Sequence, residues 1–416
     1  MIKKVVFITD FFFNKRDYDR FGIEILQKNF SVEVWDVAQL IYPHFQKDKK
    51  GYNEIPRTDL KILNNRDDLT ALLSCLDAKT LLIPFFDLTH RTSFLFREIS
   101  GKGLKYAVIQ MMTFPDPDEG KNNHTDEKTF RGLIRRLYRK LKGFRLHDVP
   151  HYYYRLVRQL NRQWLYAING ISPADYVILT GSASAAIRKY PIDPKRTSFI
   201  WTHTLDYDLY FMMKDDKTER KAPYAVFLDE DYLYHKDFET ILESSSPFTP
   251  EEYYSKMQAF FNHVERETGL PVIIAAHPRS EHLKLEELER LYRKKVIRGQ
   301  TPQLVRDCSL VIAHMSTAIN FAILFQKPIL FVTTDKLERM VSGKFKPGIY
   351  IATVARALNQ TPVNADHPAS FDTVPIFSID KKAYHDYRQA YIKMDGTPDK
   401  PFWEIVSSFI SGKTSE

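Results

Sequence analysis

Cysteine is scarce in this chain, which has only Cys75 and Cys308 among its 416 residues. Both lie in apolar stretches, and neither has partners at the spacing of a metal site. We therefore expect two buried free thiols in a reducing compartment and no disulfide framework.

Long apolar runs are also missing, since no stretch reaches the roughly 20 residues that cross a bilayer. The start, MIKKVVFITDFFF, has a short basic lead and an apolar run. It continues into NKRDYDR without a small-residue cleavage site, so we interpret it as a first β-strand rather than a signal peptide. Hydrophobic residues make up 44% and charged residues 27%, which is typical of a soluble globular protein.

The formal net charge is +8, and most of the excess lies in one segment. Residues 131–162 read RGLIRRLYRKLKGFRLHDVPHYYYRLVRQLNR, with aromatic residues between the basic ones. Nucleic acid, an anionic membrane surface or an acidic polymer would fit such a segment. No nucleic-acid-binding motif accompanies it, so nucleic acid is not expected. A peripheral contact with the inner face of the cytoplasmic membrane and a solvated basic helix face both stay open.

The first half of the chain alternates apolar runs with helical patterns. The candidate strands are residues 4–10, 31–37, 80–86, 105–111 and 175–181. A helical pattern at 17–29 gives an initial β-α-β unit, whose first strand is continuously apolar as parallel sheets require. We predict an open, doubly wound α/β domain with a polar loop at 113–130, where proline and glycine interrupt the pattern.

The alternation begins again after the charged segment KDDKTERKAP, residues 214–223, which we interpret as the linker. The candidate strands are 224–230, 271–277, 309–314 and 327–334, and the candidate helices are 250–268, 283–296 and 317–326. We therefore predict a Rossmann-like domain at 1–213 and a second at 224–400. The remaining residues, 401–416, are predicted to form a helix and tail that cross back to the first domain.

Two Rossmann-like domains facing each other across a cleft form the GT-B architecture of glycosyltransferases. Some epimerases and periplasmic-type binding proteins have a similar layout, so the predicted α/β fold alone does not fix the function.

Ligands of open α/β sheets collect beyond the carboxyl ends of the strands, so the residues that follow each apolar run are candidate site residues. In the second domain they are Asp229, Glu230, Asp231, His277, Pro278, Arg279, His314, Ser316 and Thr317. Their positions after successive strands predict one continuous functional rim.

Two elements of this rim have chemistry suited to a phosphate. Ser316 and Thr317 stand before an apolar helix, where hydroxyls are typical N-caps and where the helix start also attracts anions. Proline after His277 holds the chain extended and would aim the imidazole, and Arg279 adds a planar cation. Plain structural roles, as a helix cap and a buried strand-end histidine, are equally compatible with these residues.

The order and spacing of these two elements resemble the motifs of bacterial sialyltransferases and Kdo transferases, which have GT-B folds and CMP-activated donors. The resemblance implies that His277 and Pro278 contact cytidine monophosphate and that Ser316 and Thr317 hold its phosphate. The stretch YAVFLDEDYLYH, 224–235, is similar to retaining β-Kdo transferases, in which an aspartate at this place attacks the sugar.

That similarity implies Asp229 as the nucleophile, with Asp231 as the alternative. A carboxylate can stabilise an oxocarbenium-like transition state, attack to form a glycosyl-enzyme, or act as a base. Retention and inversion both stay open on the residues alone, and so does a solvated acidic turn. CMP carries a single phosphate with no pyrophosphate charge to neutralise, so we expect neither a metal nor a cofactor.

The carboxylate of the donor sugar requires a cationic pocket. The candidates in FFFNKRDYDRFG, after the first strand, are Lys15, Arg16 and Arg20. His203 and Asp206, in WTHTLDYDLY, would line the cleft near the linker. Solvated loop positions and aromatic packing are the alternative interpretations of these two stretches.

Three hypotheses follow. The first is transfer of Kdo from CMP-Kdo to a saccharide acceptor, lipid-linked, for a surface polysaccharide such as lipopolysaccharide O-antigen or capsule. The second is an inverting transferase that uses CMP-sialate or another nucleotide sugar. The third is a non-catalytic nucleotide-binding module of a polysaccharide assembly complex, which would bind CMP without turnover.

Overall fold

A computed structural model gives the structure of the chain. It describes residues 1–11, 13–43, 59–111, 114–115, 117, 149–150, 153–154, 157, 163–187, 189–216, 222–234, 248–278, 280, 283–340, 346–367, 371 and 375–412. These residues divide into two compact units. The first comprises Met1–Met111, Asn123–His203 and Gly396–Glu416, and the second comprises Met112–Asn122 and Thr204–Asp395.

The first unit contains a parallel sheet of seven strands. They are β1 (Lys4–Thr9), β2 (Ser31–Asp36), β3 (Asp59–Ile62), β4 (Thr80–Pro84), β5 (Lys105–Met111), β6 (Tyr176–Thr180) and β7 (Ser198–Thr202). Their order is β3-β2-β1-β4-β5-β6-β7, with parallel pairing throughout. Val5 to Ile8 are all fully buried, as a strand covered on both faces requires.

The helices of the first unit connect and cover these strands. Their bounds are Lys15–Arg20, Ile23–Gln27, Ala38–Ile41, Arg66–Ser74, Ser93–Gly101, Trp164–Ile168 and Phe402–Ile410, with a 3₁₀ turn at Ser182–Ala186. Buried leucine, isoleucine, valine and aromatic side chains between helices and sheet form the core. Each fully buried side chain of this kind contributes roughly 1.5–3 kcal/mol to stability.

The second unit contains a parallel sheet of six strands. They are β8 (Ala225–Leu228), β9 (Val272–Ala276), β10 (Lys295–Arg298), β11 (Leu310–Ala313), β12 (Ile329–Thr333) and β13 (Val363–Asn364). Their order is β10-β9-β8-β11-β12-β13, and every pairing is parallel. The predicted α/β fold with two Rossmann-like domains, the GT-B class, is confirmed.

The helices of the second unit alternate with its strands. Their bounds are Leu205–Met213, Pro250–Thr268, Leu285–Tyr292, Thr301–Asp307, Ile319–Leu324, Asp335–Arg339, Pro347–Ala357 and Lys381–Tyr387, followed by a π-helical turn at Arg388–Ile392. Pro250–Thr268 begins with Thr249 as its cap and ends at Gly269 in the left-handed region, so its sequence signals predicted it fully.

The predicted domain boundary at residue 213 differs from the compact units by one helix. Leu205–Met213 belongs to the second unit because it packs against Ile319–Leu324, where Asn320 Nδ2 donates to Asp206 Oδ2 at 2.9 Å. Half of the predicted linker that follows, residues 217–221 of 214–223, lies outside the described residues.

The single helix predicted at 17–29 is two helices, because Gly22 interrupts it with φ of +54°. A β-carbon at Gly22 would lie 2.5 Å from Trp403 Cδ1, so the chain needs glycine there both for its backbone and for space. Trp403 Nε1 donates to the carbonyl of Arg20 at 2.8 Å, which fixes the C-terminal helix against this bend.

The helix predicted at 283–296 is also shorter than expected, and its end corrects the prediction. The helix ends at Tyr292 because Arg293 adopts the left-handed region with φ of +52°. The next residues, Lys295–Arg298, form the parallel strand β10 beside β9. The strand has only four residues, KVIR. Its two β-branched residues are too few to distinguish a strand from a continuation of the preceding helix by sequence pattern.

Three further strands, β3, β7 and β13, were missed because each has two to five residues and little apolar periodicity. The prediction of two buried thiols is correct for Cys308 and wrong for Cys75. Cys308 is buried, which raises the pKa of its thiol to about 12, whereas Cys75 is exposed just after the helix Arg66–Ser74.

Residues 131–148 of the basic segment lie outside the described residues, as do most of 151–162 and most of the predicted loop at 113–130. Among the described residues, no helix combines the length and the apolar character needed to cross a membrane.

Candidate active site

The second sheet reverses its strand order between β8 and β11. From β8 the chain continues to β9 and β10 on one side, and from β11 it continues to β12 and β13 on the other. The loops that follow β8 and β11 therefore diverge and leave a crevice, which is where open α/β sheets bind ligands. Asp229, Glu230 and Asp231 follow β8, and His314 to Thr317 follow β11.

Glu230 connects the two loops at this crevice. Its Oε1 accepts a hydrogen bond from the backbone N–H of Met315 at 2.6 Å. Burial raises the pKa of Glu230 to about 8, and the neighbouring Asp229 charge acts in the same direction. Glu230 is therefore a mostly neutral acid at pH 7, and it binds the acidic loop to the residue directly before Ser316.

Asp229 accepts hydrogen bonds on both of its carboxyl oxygens. Its Oδ1 accepts from Tyr292 Oη at 2.9 Å and from the backbone N–H of Asp231 at 3.0 Å. Its Oδ2 accepts from the backbone N–H of His277 at 3.5 Å. Burial raises the pKa of Asp229, and these donors oppose that rise. Asp229 thereby joins the ends of β8 and β9 and the helix that precedes β10.

Asp231 has a strained backbone, with φ of +52°. A non-glycine residue in this left-handed region costs of order 1 kcal/mol and is most common near functional sites. Burial raises the pKa of Asp231 to about 7, the Asp229 charge adds to the rise, and the positive charge of Arg298 opposes it. Asp231 is thus a carboxyl that changes charge near neutral pH.

Buried tyrosines pack beside the acidic loop. Tyr292 is 1% and Tyr253 2% exposed, and the ring of Tyr254 packs edge-on against Tyr292 with centroids 4.8 Å apart. Charges and hydrogen bonds are stronger in such a setting than in water. Burial also raises the pKa of each of these tyrosines, so they act as neutral donors.

His277 lies half-buried directly after β9, beside Asp229, and Pro278 is exposed after it. The carbonyl of His277 accepts from both the backbone N–H and the hydroxyl of Ser280, at 3.0 and 2.8 Å, which closes a tight turn. Arg279 lies outside the described residues.

Arg298, at the carboxyl end of β10, holds this turn from the other side. Its guanidinium donates to the carbonyl of Ser280 at 2.8 Å, to the Ser280 hydroxyl at 3.3 Å and to the carbonyl of Leu283 at 2.9 Å. Arg298 therefore stabilises the turn after His277, and its positive charge lowers the pKa of Asp231.

His314 lies deeper than the rim. It is fully buried, with Nδ1 2.7 Å from the carbonyl of Val332 and Nε2 3.3 Å from Tyr253 Oη. Burial lowers the pKa of His314 to about 4, so the ring is neutral. Both ring nitrogens have protein partners, so this imidazole supports the rim from beneath.

Ser316 and Thr317 precede the helix Ile319–Leu324 by a turn, which corrects the predicted helix at 317–326. The cap residue is Ala318, without a side-chain hydrogen bond, and the Ser316 hydroxyl instead accepts from the Ala318 N–H at 3.3 Å. Thr317 is exposed. Both hydroxyls belong to the loop that Glu230 holds, rather than to the first turn of a helix.

The other predicted site residues are spread over both units. Arg16 is exposed on the helix after β1, and the guanidinium of Arg20 lies 5.6 Å from the ring of Phe85. His203, also in the first unit, is buried with Nε2 2.8 Å from the carbonyl of Lys400. Asp206 belongs to the second unit, where it accepts from Asn320.

Sequence reasoning missed the two residues that organise the acidic loop, Tyr292 and Arg298. Tyr292 ends a helix and Arg298 ends a strand that was not predicted, so neither stood at a recognised strand end. Correct placement of β10 would have brought Arg298 into the rim. Among the described residues, no group of three or more His, Cys, Asp or Glu side chains is arranged to hold a metal ion.

Comparisons with known proteins extend the description of the fold. No protein-family model matches the chain, and no curated protein matches it. The structure of Phytolacca americana UGT2 complexed with UDP-2fluoro-glucose and pterostilbene is 11% identical, with a TM-score of 0.51, over 98% of this chain and 100% of that chain.

Two other solved structures cover both chains equally fully but superpose less well. UDP-GlcNAc 2-epimerase from Neisseria meningitidis bound to UDP-GlcNAc is 11% identical over 99% of each chain, with a TM-score of 0.46. Acinetobacter baumannii MurG is 9% identical over 99% of each chain, with a TM-score of 0.45. At these identities the likeness is one of fold, and this chain shares its two-domain Rossmann-like fold with the Phytolacca structure.

Proposed function

We propose that this protein is a glycosyltransferase that takes a sugar from a nucleotide-activated donor. The observation that carries the proposal is the link between Glu230 and Met315, which joins a buried acidic loop to a Ser-Thr turn where the second sheet reverses its strand order. A carboxyl group for the sugar and a hydroxyl turn for the phosphate stand side by side at the expected ligand-binding edge. The Phytolacca structure of the same fold holds a nucleotide sugar, UDP-2fluoro-glucose.

The donor we propose is CMP-Kdo, and the acceptor is a saccharide, lipid-linked, of a surface polysaccharide. Support comes from the resemblance of His277-Pro278, of Ser316-Thr317 and of the acidic loop to Kdo transferases. In this assignment His277 contacts the cytidine monophosphate, and the Ser316 and Thr317 hydroxyls donate to its phosphate. The anionic head groups of a membrane would meet the basic segment 131–162.

The reacting carboxylate that the geometry favours is Asp231, ahead of Asp229. Both acceptor positions on Asp229 Oδ1 are used by protein donors, which suits a residue that orients the loop. Asp231 combines a strained backbone with a pKa of about 7, raised first by burial. A sufficient fraction of Asp231 would be ionised at neutral pH to attack the anomeric carbon of the donor sugar. CMP then departs from that carbon with the bonding electron pair.

The acceptor then completes the reaction from the same crevice. Its hydroxyl oxygen attacks the glycosyl-enzyme, the bond to the Asp231 oxygen breaks, and the hydroxyl proton passes to a base or to water. Two displacements return the original anomeric configuration, so we propose retention. CMP holds one phosphate, so we expect transfer to continue in the presence of EDTA.

A donor panel combined with three variants tests these assignments. Purified protein is incubated with CMP-Kdo, CMP-sialate and UDP sugars, and release of the nucleotide is followed. We expect slow hydrolysis of CMP-Kdo, loss of turnover by at least about 10³-fold in Asp231→Asn, and a sugar adduct of the wild type by intact-mass spectrometry. Asp307→Asn is the matched control, since Asp307 precedes β11 at the opposite, amino edge of the sheet.

Each outcome separates the alternatives. Full activity in Asp231→Asn together with loss in Asp229→Asn would return the nucleophile to Asp229. Turnover of CMP-sialate alone, without an adduct, would favour an inverting sialyltransferase. Binding of CMP without turnover of any donor would leave a non-catalytic nucleotide-binding module.

A further inference from the structure

A short helix of the first unit presents apolar side chains to solvent. Trp164 is 55% and Ile168 is 70% exposed, and Ala167 between them is exposed as well. These residues stand at positions i, i+3 and i+4 of the helix Trp164–Ile168, so they share one face. Single exposed apolar residues are common, but a contiguous set that includes a tryptophan indicates a binding surface.

The opposite face of this helix is fixed in the core of the first unit. Tyr166 is 1% exposed, and its ring lies near that of Tyr154, with centroids 6.4 Å apart. The carbonyl of Leu165 accepts a hydrogen bond from Tyr153 Oη at 3.2 Å. Because these contacts hold the buried face, the fold itself keeps the apolar outer face of the helix directed at solvent.

Two exposed cations, Lys195 and Arg196, lie on a turn that is joined to the start of this helix. The backbone N–H of Ile192, at the beginning of the turn, donates to Gln163 Oε1 at 3.1 Å, directly before the helix. Asp193 of the same turn is half-buried, and its Oδ1 accepts from the backbone N–H of Lys195 at 3.0 Å. The turn therefore adds two exposed positive charges and one half-buried negative charge to the surface beside the helix.

Phe199 extends the apolar part of this surface. It is 41% exposed on β7, the last strand in the order of the first sheet, and register pairs it with Val177 of β6. Val177 belongs to the core cluster that also contains Tyr166, so alternation along the strands places Phe199 on the face of the sheet that the helix covers. Helix, turn and strand thus contribute to one surface, the Trp164 surface, which comprises Trp164, Ala167, Ile168, Lys195, Arg196 and Phe199.

The basic segment 131–162 adjoins this surface in the sequence. It holds ten Lys and Arg residues against one Asp, and it ends directly before Gln163. Tyr154 and Val157, which are described residues of the segment, are buried in the same core cluster as Tyr166. The end of the most positive stretch of the chain is therefore anchored beneath the helix that carries the Trp164 surface.

We propose that the Trp164 surface docks the protein on an anionic lipid bilayer. Tryptophan and aliphatic side chains enter the zone between head groups and acyl chains, while neighbouring Lys and Arg residues attract anionic head groups. The positive charge selects this occupant over a second copy of the chain, because a second copy would bring the same charge to the contact and repel the first. Access to a lipid-linked acceptor rests on the proposed glycosyltransferase function, whereas the docking itself does not.

Co-sedimentation of the full-length chain with lipid vesicles tests the proposal. The vesicles contain phosphatidylglycerol and phosphatidylcholine in equal parts, or phosphatidylcholine alone. We expect binding to the anionic vesicles that is at least about tenfold tighter and that weakens as salt is added. The double variant Trp164→Ser/Ile168→Ser should bind the anionic vesicles at least about tenfold more weakly. Lys195→Gln/Arg196→Gln should weaken binding by about tenfold or more.

Tryptophan emission provides a direct readout of contact with the bilayer. Of the four tryptophans, Trp35 and Trp403 are fully buried and Trp201 is half-buried, so Trp164 has the largest exposed fraction to lose. We expect a blue shift of the emission when the protein binds anionic vesicles. Trp164→Phe should remove this shift while it keeps most of the affinity, because phenylalanine also enters the interface.

Matched controls lie in the second unit. Met212→Ser changes a side chain that is 67% exposed on the helix Leu205–Met213. Lys381→Gln/Lys382→Gln removes two neighbouring exposed cations from the helix Lys381–Tyr387. Both controls should bind vesicles as the wild type does. Every variant changes exposed side chains, so equal thermal unfolding midpoints should show that the fold is retained.

Three results would overturn the inference: no binding to anionic vesicles, equal binding to both kinds of vesicle, or wild-type binding by Trp164→Ser/Ile168→Ser. Self-association that this double variant abolishes, without vesicle binding, would assign the surface to a second copy instead. Release of nucleotide from CMP-Kdo in the absence of vesicles, measured on the same samples, keeps the two proposals apart. Turnover without vesicle binding removes only the docking surface, and vesicle binding without turnover of any donor removes only the proposed transferase function.

Discussion

Glu230 Oε1 accepts the backbone N–H of Met315 at 2.6 Å, and this one hydrogen bond joins the loops that follow β8 and β11. The two loops leave the sheet in opposite directions, so a bond between them fixes the width of the crevice. A group that is mostly neutral at pH 7 can do this without adding a third negative charge beside Asp229 and Asp231. Glu230 is thus a positioning residue in the proposed site.

Glu230→Gln should retain this bond and stabilise the protein at alkaline pH. The raised pKa means that folding favours neutral Glu230, so the wild type loses stability as pH rises from about 4.5 to about 8. Glutamine has no such loss, and we expect an advantage of about 1–4 kcal/mol at pH 8.5 and none at pH 4, by urea denaturation. Glu230→Leu, which leaves the Met315 N–H unpaired, should be about 1–3 kcal/mol less stable than Glu230→Gln at both values. Equal stability of wild type and Glu230→Gln at pH 8.5 would contradict the assignment.

Tyr292→Phe should reduce turnover of the donor by tenfold or more and cost about 1–2 kcal/mol of stability. The phenol is the side-chain donor to Asp229 Oδ1, and its loss leaves a buried carboxyl without the group that orients it. Tyr224→Phe is a matched control, because Tyr224 Oη donates to the carbonyl of Leu304 at 2.9 Å at the far edge of the same sheet. It should lose similar stability and keep its activity. Equal activities of the two variants would argue against a role of Tyr292 at the site.

Two substitutions of Arg298 should distinguish the effect of its positive charge from the effect of its guanidinium geometry. Arg298→Gln removes the cation that lowers the pKa of Asp231, so the acidic limb of the pH–rate profile should move up by about 0.5–1 unit. Arg298→Lys keeps the charge but loses the planar guanidinium that reaches the carbonyls of Ser280 and Leu283, so the limb should stay while KM for the donor rises. Profiles of donor hydrolysis between pH 5 and pH 9 provide the measurement. A limb that does not move in Arg298→Gln would remove the electrostatic part of this assignment.

His314→Gln should change the response of stability to acid. The folded protein holds His314 neutral with a pKa of about 4, so the wild type loses stability as pH falls from about 6.5 to about 4. We expect the wild type to have a larger free energy of unfolding than His314→Gln at pH 7. At pH 4 this difference should be smaller by up to about 3 kcal/mol. A constant difference across this range would mean that His314 titrates normally.

Much of the fold could be predicted because parallel strands with both faces covered are long apolar runs. Residues 4–10, 105–111 and 271–277 all contain strands within one or two residues of the predicted bounds. The short strands β3, β10 and β13 could not be predicted, since their few residues form strands only through pairing with a neighbour in the sheet. The break at Gly22 depends on Trp403, a contact that no local pattern contains.

The candidate site could be predicted as a set of strand ends, but its internal organisation could not. Asp229, Glu230 and His277 meet as expected because parallel strands end at one edge. The three carboxyls differ in their partners: Tyr292 donates to Asp229, the Met315 N–H donates to Glu230, and the charge of Arg298 acts on Asp231. These partners come from separate elements, so no local pattern could show them. His314 stood at a strand end like the others, and only packing reveals that its ring lies beneath the rim.

The contact between Gly22 and Trp403 has a consequence for synthesis of the chain. The ribosome adds Trp403 only after the second unit has been translated. We therefore expect the first unit to emerge with its core open at Gly22 and to reach its native state after the second. Domains usually complete folding in the order in which they are made. Nascent chains that stop before residue 402 should therefore expose this part of the core to chaperones, even when their second unit is already folded.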